Sequence, residues 1–228
     1  MILPIGSIVN ALAIVLGSLI GLGFGAFLPE VIRKIIFQMI GLFTLVLGTK
    51  MAMESNNLLL LLLSLIIGAI IGEIIHIEKR LERLSNRIKA KFKSKNELFS
   101  EGLITAFLLY CIGSLTFVGA IEEGIHQDRT LLYTKSMMDG ITSILLASTF
   151  GSGVLFSAIP LLLFQTLLTW GAYSFEPYLQ EAMITEISAV GGVLILALGL
   201  NILKIQKIKV SNLLPAILIV IPLYHYFF

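Results

Sequence analysis

Long apolar stretches recur along this chain, and they limit its fold more than any other feature. One of them, 58–77, contains an unbroken run of leucines at 58–63. Of the 228 residues, 57% are hydrophobic and 13% are charged, whereas a soluble domain is about half apolar and about a quarter charged. So few charges cannot cover so apolar a surface, which excludes a soluble enzyme, a disordered protein and a nucleic-acid-binding domain. We expect several membrane crossings of about 20 residues each.

Hydrophobic windows, divided at their polar breaks, predict about eight spans. They are Leu3–Leu28, Lys34–Met53, Leu58–Ile77, Phe99–Ile121, Leu131–Phe150, Val154–Tyr173, Glu186–Leu203 and Asn212–Phe228. The last is short and contains two prolines, so an alternative with about seven spans omits it. The predicted fold is an all-α polytopic transmembrane helix bundle that forms a single integral membrane domain over residues 1–228. The N-terminus lacks a basic region, and we interpret it as a retained first helix rather than a cleaved signal peptide.

Basic residues predict the orientation of these spans. Segment 78–97 is rich in lysine and arginine, and the positive-inside rule places it in the cytoplasm. Alternation from there also places the turns at 33–34 and 204–209 inside and both termini outside. Only Lys50, Arg129 and Lys135 of the 16 basic residues then lie outside. We therefore expect a multi-pass protein of the bacterial cytoplasmic (inner) membrane.

The basic segment is itself patterned. Ile77, Leu81, Leu84, Ile88 and Phe92 recur at three- and four-residue steps. This spacing predicts an amphipathic helix over 77–97 that lies on the cytoplasmic surface and faces anionic lipid head groups. The segment is either an anchor that sets the topology or a regulatory, partner-binding helix.

Two parts of the chain resemble each other weakly. Gly41–Gly48 aligns with Gly192–Gly199, Asn56–Leu60 aligns with Ser211–Pro215, and the start of the chain at 6–9 aligns loosely with 151–154. Spans one to three would then repeat as spans six to eight with the opposite orientation. Inverted repeats are typical of secondary transporters, which bind their substrates near the membrane midplane between the repeats. Chance similarity between apolar helices is the alternative.

An acidic residue inside a predicted span marks the main candidate site. Asp139 lies well within the fifth span, and Thr142 and Ser143 follow it by about one helical turn. A buried charge in a membrane is costly and is by default a sign of function. A carboxylate flanked by hydroxyls suits a cation or a proton, and if a metal binds, Asp139 is the residue expected to hold it. The alternative is a structural ion pair, with Lys135 as one partner.

Other polar residues fall in the outer halves of their spans and could converge on Asp139. Asn10 and Gln165 are candidates for binding a small ion or polar solute, or else for hydrogen bonds between helices. Glu122 and Glu186 are further candidates, although they and the adjacent Glu123 lie near the membrane surface and could simply be solvated.

Glycine spacing predicts close helix packing. Gly17, Gly21 and Gly25 are four residues apart in the first span, as are Gly68 and Gly72 in the third. Such faces let helices approach closely and are compatible with a homo-oligomer.

Enzyme chemistry finds little support in the sequence. It contains no zinc-protease motif, nucleophile elbow or phosphate-binding loop, so we expect neither an enzyme nor a bound cofactor. Cys111 is the sole cysteine, which excludes an intrachain disulfide and a cysteine-based zinc site.

Several stretches resemble a known family over essentially the whole chain. They are Gly6–Ala11, Leu47–Ala52, Gly72–Glu78, Cys111–Ser114, Lys135–Ser143, Gly151–Pro160, Gly191–Asn201 and Asn212–Pro215. The chain is similar in these to the YqgA/YdfK-type family of uncharacterised bacterial multi-pass inner-membrane proteins. The resemblance implies an integral membrane protein and supplies no substrate or site residues.

Two functions remain open from the sequence. The first is a small secondary transporter or channel for a cation or small polar solute, with Asp139 as the binding or coupling carboxylate. The second is a non-transporting assembly or sensor protein that acts through the basic cytoplasmic segment. The sequence identifies neither the solute nor the direction of transport.

Overall fold

The structure is a computed structural model that describes residues 3–175 and 181–227. This part of the chain is helical and contains no strand, which confirms the all-α class. The helices are α1 (Ile5–Phe27), α2 (Glu30–Ala52), α3 (Leu58–Ile75), α4 (Ile77–Lys91), α5 (Phe99–Cys111), α6 (Ser114–Ile125), α7 (Thr130–Phe150), α8 (Gly153–Phe156), α9 (Ala158–Phe175), α10 (Glu181–Ile202) and α11 (Pro215–Phe227). A short 3-10 helix over Val210–Leu213 precedes α11.

Several of these helices are long and apolar enough to cross a membrane. Within the described residues, five qualify by length and composition, and the bent pair α5–α6 makes a sixth if it counts as one span. α7 does not qualify because its lysine, aspartate and hydroxyl side chains lower its hydropathy, and α11 is too short. The chain is thus a polytopic membrane protein, and the count of eight spans stays a prediction.

The predicted fourth span and the predicted amphipathic helix differ in form from the observed helices. The fourth span is broken after Cys111, where Gly113 has a φ of 154°, and α5 and α6 meet at 61°. A single apolar run gave no signal of this bend. The amphipathic helix predicted over 77–97 ends at Lys91, and Lys93 has a φ of 50°. Its basic residues are mostly exposed.

The chain divides into two compact units, and the single integral membrane domain over residues 1–228 stays a prediction. Unit 1 comprises residues 1–36 and 85–178, and unit 2 comprises residues 37–84 and 179–228. Each unit therefore combines segments from both halves of the sequence, and each is described below by itself.

In unit 1, α1 packs on α7 through a seam of glycines. A Cβ added at Gly17, Gly21 or Gly25 would overlap backbone oxygens of Gly140, Ile144 or Ser148, respectively. The contacts advance in the same direction along both helices, so α1 and α7 run parallel. The packing face predicted from the glycine spacing is confirmed, and it places the first half of α1 beside the first half of α7.

The end of α7 is held by the segment that precedes α5. Asn96 Nδ2 donates a hydrogen bond to the carbonyl oxygen of Phe150 at 2.7 Å, and the hydroxyls of Ser94 and Ser152 are 3.1 Å apart. Gly151 there has a φ of 79°, a conformation that favours glycine. The break at 151–153 is a turn that leads into the short α8.

In unit 2, two helix pairs pack antiparallel. Gly41 of α2 lies against Leu203, and Gly48 lies against Gly192 and Leu196 of α10, so the contacts run in opposite directions. The two glycine stretches that align in the sequence are therefore packed on each other. Gly72 and Gly68 of α3 contact Asn212 and Ala216 in the same antiparallel manner, which confirms the second predicted packing face.

Polar side chains close both ends of unit 2. At one end, Glu186 accepts hydrogen bonds from the Ser55 hydroxyl and the Asn56 backbone N–H, at 2.7 and 2.8 Å. At the other, Asn212 and Lys209 each donate to Glu73 at 2.6 Å. The Glu73 carboxylate raises the pKa of Lys209 through this hydrogen bond.

Candidate functional site

The candidate site lies in unit 1, on the first half of α7. Asp128 lies in the turn before this helix, and its Oδ1 accepts hydrogen bonds from both the N–H and the hydroxyl of Thr130, at 2.9 and 2.7 Å. These hydrogen bonds lower the pKa of Asp128. Beyond this exposed start, Lys135, Asp139 and Ser143 follow at four-residue steps and are all buried. Four-residue spacing keeps them on one face of the helix.

Lys135 and Asp139 form a buried ion pair. Lys135 Nζ is 2.6 Å from Asp139 Oδ2, and their side chains are only 8% and 10% exposed. Both residues belong to α7, so the pair lies within one helix. The two charges largely cancel each other, which lowers the cost of burying either.

Two amides from other helices join this pair. Asn10 of α1 donates from Nδ2 to Asp139 Oδ2 at 3.0 Å and to Gln165 Oε1 of α9 at 3.2 Å. Asn10 and Gln165 are fully buried. Their remaining polar atoms, Asn10 Oδ1 and Gln165 Nε2, have no hydrogen-bond partner in the described part of the chain. The cluster thus holds one unused acceptor and one unused donor.

Ser143 connects the backbone of Asp139 to α5. Its hydroxyl donates to the Asp139 carbonyl oxygen at 2.7 Å, and the Tyr110 hydroxyl lies 2.7 Å from the same Ser143 oxygen. Since Ser143 has a single hydroxyl proton, Tyr110 is the donor to Ser143. Tyr110 is 1% exposed, so this contact fixes α5 against the ion-pair helix inside unit 1.

A second buried carboxylate lies nearer the start of α1. Glu123 of α6 is fully buried, and its Oε1 accepts from the Gly6 backbone N–H at 2.6 Å and from Arg129 Nε at 3.2 Å. Glu123 Oε2 and the neighbouring Ser7 hydroxyl have no partner among the described residues. Ser7 precedes Asn10 by three residues, so both lie on adjoining parts of one α1 face.

A cavity lies towards the other end of the same helix pair. It has a volume of about 460 Å³, and its wall includes Gly25, Arg33, Lys95 and Ser148. Arg33 Nη2 also donates to the Gly25 carbonyl oxygen at 2.7 Å, close to the end of α1. Along α7, the cavity wall at Ala147 lies roughly 12 Å beyond Asp139, at 1.5 Å per helical residue.

Comparison with known proteins identifies the family. A family model described as "Protein of unknown function (DUF554)" matches residues 5–225. The chain belongs to the DUF554 family. Together with the two relatives described next, this confirms the YqgA/YdfK-type resemblance that the sequence motifs indicated.

Two relatives of this DUF554 chain cover nearly its full length. The "Uncharacterized membrane protein YdfK" of Bacillus subtilis (strain 168) is 42% identical over 218 residues, which cover 94% of this chain and 93% of that protein. The "Uncharacterized protein YqgA" of Escherichia coli (strain K12) is 34% identical over 224 residues, or 96% and 95% of the two chains. No solved structure matches. The YdfK name agrees with the membrane location of the DUF554 chain.

The structure brings four of the seven predicted site residues of this DUF554 protein together. Asp139, Asn10, Gln165 and Ser143 are joined by the hydrogen bonds above. The remaining three predicted residues lie elsewhere.

Thr142 is only half-buried, and its hydroxyl donates to the Met138 carbonyl oxygen. Glu122 pairs with the exposed His126 at 2.9 Å. Glu186 closes the 55–57 turn in unit 2. Each of the three has a hydrogen-bond partner outside the ion-pair cluster.

Two buried charged residues of unit 1, Lys135 and Glu123, were not among the seven site residues predicted from the sequence. Lys135 precedes Asp139 by four residues, a spacing that signals a helical ion pair. Glu123 gave no such signal, since neither its distance from Gly6 in sequence nor its six-residue step to Arg129 follows a helical period.

The arrangement presents a carboxylate, an ammonium and two amide groups in one cluster. Across residues 3–175 and 181–227, no group of three or more His, Cys, Asp or Glu side chains could hold a metal ion. Lys135 Nζ contacts Oδ2, one of the two carboxylate oxygens of Asp139.

Proposed function

We propose that this DUF554 protein is a small secondary transporter or channel for a cation or small polar solute, with Asp139 as its binding carboxylate. The observation that carries the proposal is the buried Lys135–Asp139 pair in α7, with Asn10 and Gln165 against it. In this proposal the protein moves its solute without catalysing a chemical reaction.

A structural role alone explains this pair poorly. A salt bridge between two helices can hold them together, but Lys135 and Asp139 lie on the same helix. Two apolar residues would fill the same space without the cost of dehydrating two charges. Intramembrane ionisable groups that face the protein interior typically mark solute or ion pathways, which favours function here.

The direction of helix packing supports an alternating path of eight spans. For a chain that crosses a bilayer, the parallel packing of α1 and α7 requires an odd number of crossings between them. The predicted topology has three, if the bent α5–α6 pair counts as one span. Antiparallel α2–α10 and α3–α11 packing fits the same alternation, because four predicted crossings separate the members of each pair.

The repeat and the cavity also favour transport. The aligned glycine stretches of α2 and α10 pack antiparallel in unit 2, as expected for an inverted repeat. In the predicted orientation, the ion pair lies in the outer half of α7 and the 460 Å³ cavity lies at its cytoplasmic end. A solute could thus approach the site from opposite sides in two states of the protein.

The predicted surroundings are those of a bacterial inner membrane. The exposed basic residues of α4 would bind anionic lipid head groups on the cytoplasmic side. The apolar exposed side chains of α2 and α3 would face lipid, or a second copy in a homo-oligomer.

Transport measurements in proteoliposomes test this function. The purified protein should carry a labelled solute or cation from a panel of monovalent and divalent cations, amines, carboxylates and amino acids. Asp139→Asn should abolish the flux, whereas Glu54→Gln, which changes an exposed carboxylate, should leave it unchanged. Flux that persists in Asp139→Asn would remove Asp139 from the mechanism, and no flux across the panel would contradict the transporter function.

A further inference from the structure

We propose that the solute is a small zwitterion that carries an ammonium and a carboxylate group, with an α-amino acid as the simplest example. This inference rests on the transporter function proposed above and names the substrate class of the same site. It follows from the charge balance of the Lys135–Asp139 pair and from the two unused amide atoms beside it.

The charge balance disfavours a solute with a single charge. A cation bound to Asp139 in place of Lys135 would leave the buried Lys135 ammonium without a partner. An anion bound to Lys135 would likewise leave the buried Asp139 carboxylate without a partner. Removing one partner from a buried ion pair is strongly unfavourable because the other charge stays dehydrated and unpaired. A zwitterion replaces one ion pair by two and leaves neither charge unpaired.

The unused amide atoms have the polarity that such a solute needs. Asp139 only accepts hydrogen bonds, so the Asn10 group that faces it at 3.0 Å is the NH₂. The same NH₂ faces Gln165 at 3.2 Å, so the Gln165 group there is the carbonyl oxygen. Asn10 Oδ1 is therefore left as an acceptor and Gln165 Nε2 as a donor.

These atoms complete the site for both ends of a zwitterion. Asp139 with Asn10 Oδ1 would accept hydrogen bonds from an ammonium group, and Lys135 with Gln165 Nε2 would donate to a carboxylate. Lys135 Nζ and Asp139 Oδ2 are in direct contact at 2.6 Å, which favours a solute whose opposite charges are also close together. An α-amino acid meets this condition because one carbon bears both groups.

Matched small probes test the inference on the purified full-length protein. Alanine carries both charged groups, ethylamine lacks the carboxylate, and propionate lacks the ammonium. A ligand that binds the folded state raises its apparent thermal stability. At equal concentrations, alanine or the smaller glycine should raise the unfolding temperature, and the affinities for ethylamine and propionate should be at least about tenfold weaker.

Two variants should change this selectivity in opposite directions. Asp139→Asn leaves Lys135 as an unpaired cation, so the variant should bind propionate better than the wild type does. Lys135→Met leaves Asp139 unpaired, so this variant should bind ethylamine better. Ligand-induced stabilisation would be visible even where the variants are less stable than the wild type.

Three results would overturn the inference. The first is that neither glycine nor alanine stabilises the protein. The second is that ethylamine or propionate stabilises it as much as alanine does. The third is that Asp139→Asn and Lys135→Met bind these probes with the same selectivity as the wild type. An Asp139-dependent flux of a simple cation, with alanine inert, would reject the zwitterion but keep the transporter. Binding of alanine without any flux would keep the zwitterion as the ligand but reject the transporter function.

Discussion

Lys135 and Asp139 contact each other at 2.6 Å within a single turn of α7. The hydrogen bond that joins this pair to α1 comes from the neutral amide of Asn10, so no ion pair links the two helices there. The pair can therefore open without separating any two helices. This property suits a site whose partners exchange during transport.

Removing one charge should cost more stability than removing both. Asp139→Asn or Lys135→Met should each lower the free energy of unfolding by about 3–5 kcal/mol, because the other charge stays buried and unpaired. The double variant Lys135→Met/Asp139→Leu should be close to the wild type. Thermal unfolding of all four proteins in one detergent checks this, and a double variant that loses the sum of the two single effects would refute it.

Asn10→Leu should weaken the packing of α1 on α7. The substitution removes a hydrogen bond to the buried carboxylate, and such a bond to a charged group contributes about 1.5–3 kcal/mol. Gln38→Leu changes an exposed amide of α2 and serves as the matched control. Equal unfolding temperatures for the two variants would show that the Asn10 contact contributes little.

Glu123 and Glu122 should respond differently to the same change. Glu123→Gln removes the charge that faces Arg129 and alters the acceptor of the Gly6 N–H, so we expect a loss of about 1–3 kcal/mol. Glu122→Gln affects only an exposed pair with His126 and should stay within about 0.5 kcal/mol. Hydrogen exchange at the start of α1 should accelerate in the first variant alone. Similar exchange in both would mean that Glu123 does not hold this end of α1.

The glycine seam in unit 1 offers a matched pair of substitutions on one helix. A Cβ at Gly21 would overlap the Ile144 carbonyl oxygen, whereas a Cβ at Gly23 would meet no atom within 4 Å. Gly21→Ala should cost about 1–3 kcal/mol through overpacking. Gly23→Ala should be neutral or stabilising by up to about 1 kcal/mol, because alanine favours the helix. Unfolding temperatures that fall equally would contradict the close packing of Gly21 on α7.

The basic residues of α4 should sense lipid charge without controlling transport. In nanodiscs, hydrogen exchange of α4 should slow when anionic lipid replaces zwitterionic lipid, since each basic residue near the surface contributes about 1 kcal/mol. Replacing Lys79, Arg80, Arg83 and Arg87 by glutamine should abolish this difference and leave most of the flux. Loss of flux in this variant would favour the alternative of a protein that acts through its basic segment.

Much of the fold could be predicted because lipid imposes strong rules on sequence. Apolar length predicted the long helices, and four-residue glycine spacing predicted the faces that pack closely. The break at Gly113 and the division into two units could not be predicted, because they depend on contacts between residues far apart in sequence. The same uniform apolar composition that reveals a span hides where it bends.

The candidate site was partly predictable for a similar reason. Asp139, Asn10 and Gln165 stand out because polar groups are rare inside spans. Thr142 and Ser143 follow Asp139 by three and four residues, and both were expected on its face. A four-residue step rotates the helix by about 40° beyond a full turn, and a three-residue step falls about 60° short. Both hydroxyls donate to a carbonyl oxygen of their own helix. Ser143 is buried close to the line of Lys135 and Asp139 and also contacts Tyr110, whereas Thr142 is only half-buried. No pattern in the sequence indicates that Glu123 rather than the adjacent Glu122 is fully buried.

The most direct test of the central claim is solute flux in the double variant Lys135→Met/Asp139→Leu. Its buried charges are gone together, so its stability should remain close to that of the wild type, and a folding defect would not explain a loss of transport. We predict a folded protein without flux for every solute that the wild type carries. Wild-type flux in this variant would contradict the account and would reduce the ion pair to a structural feature of α7.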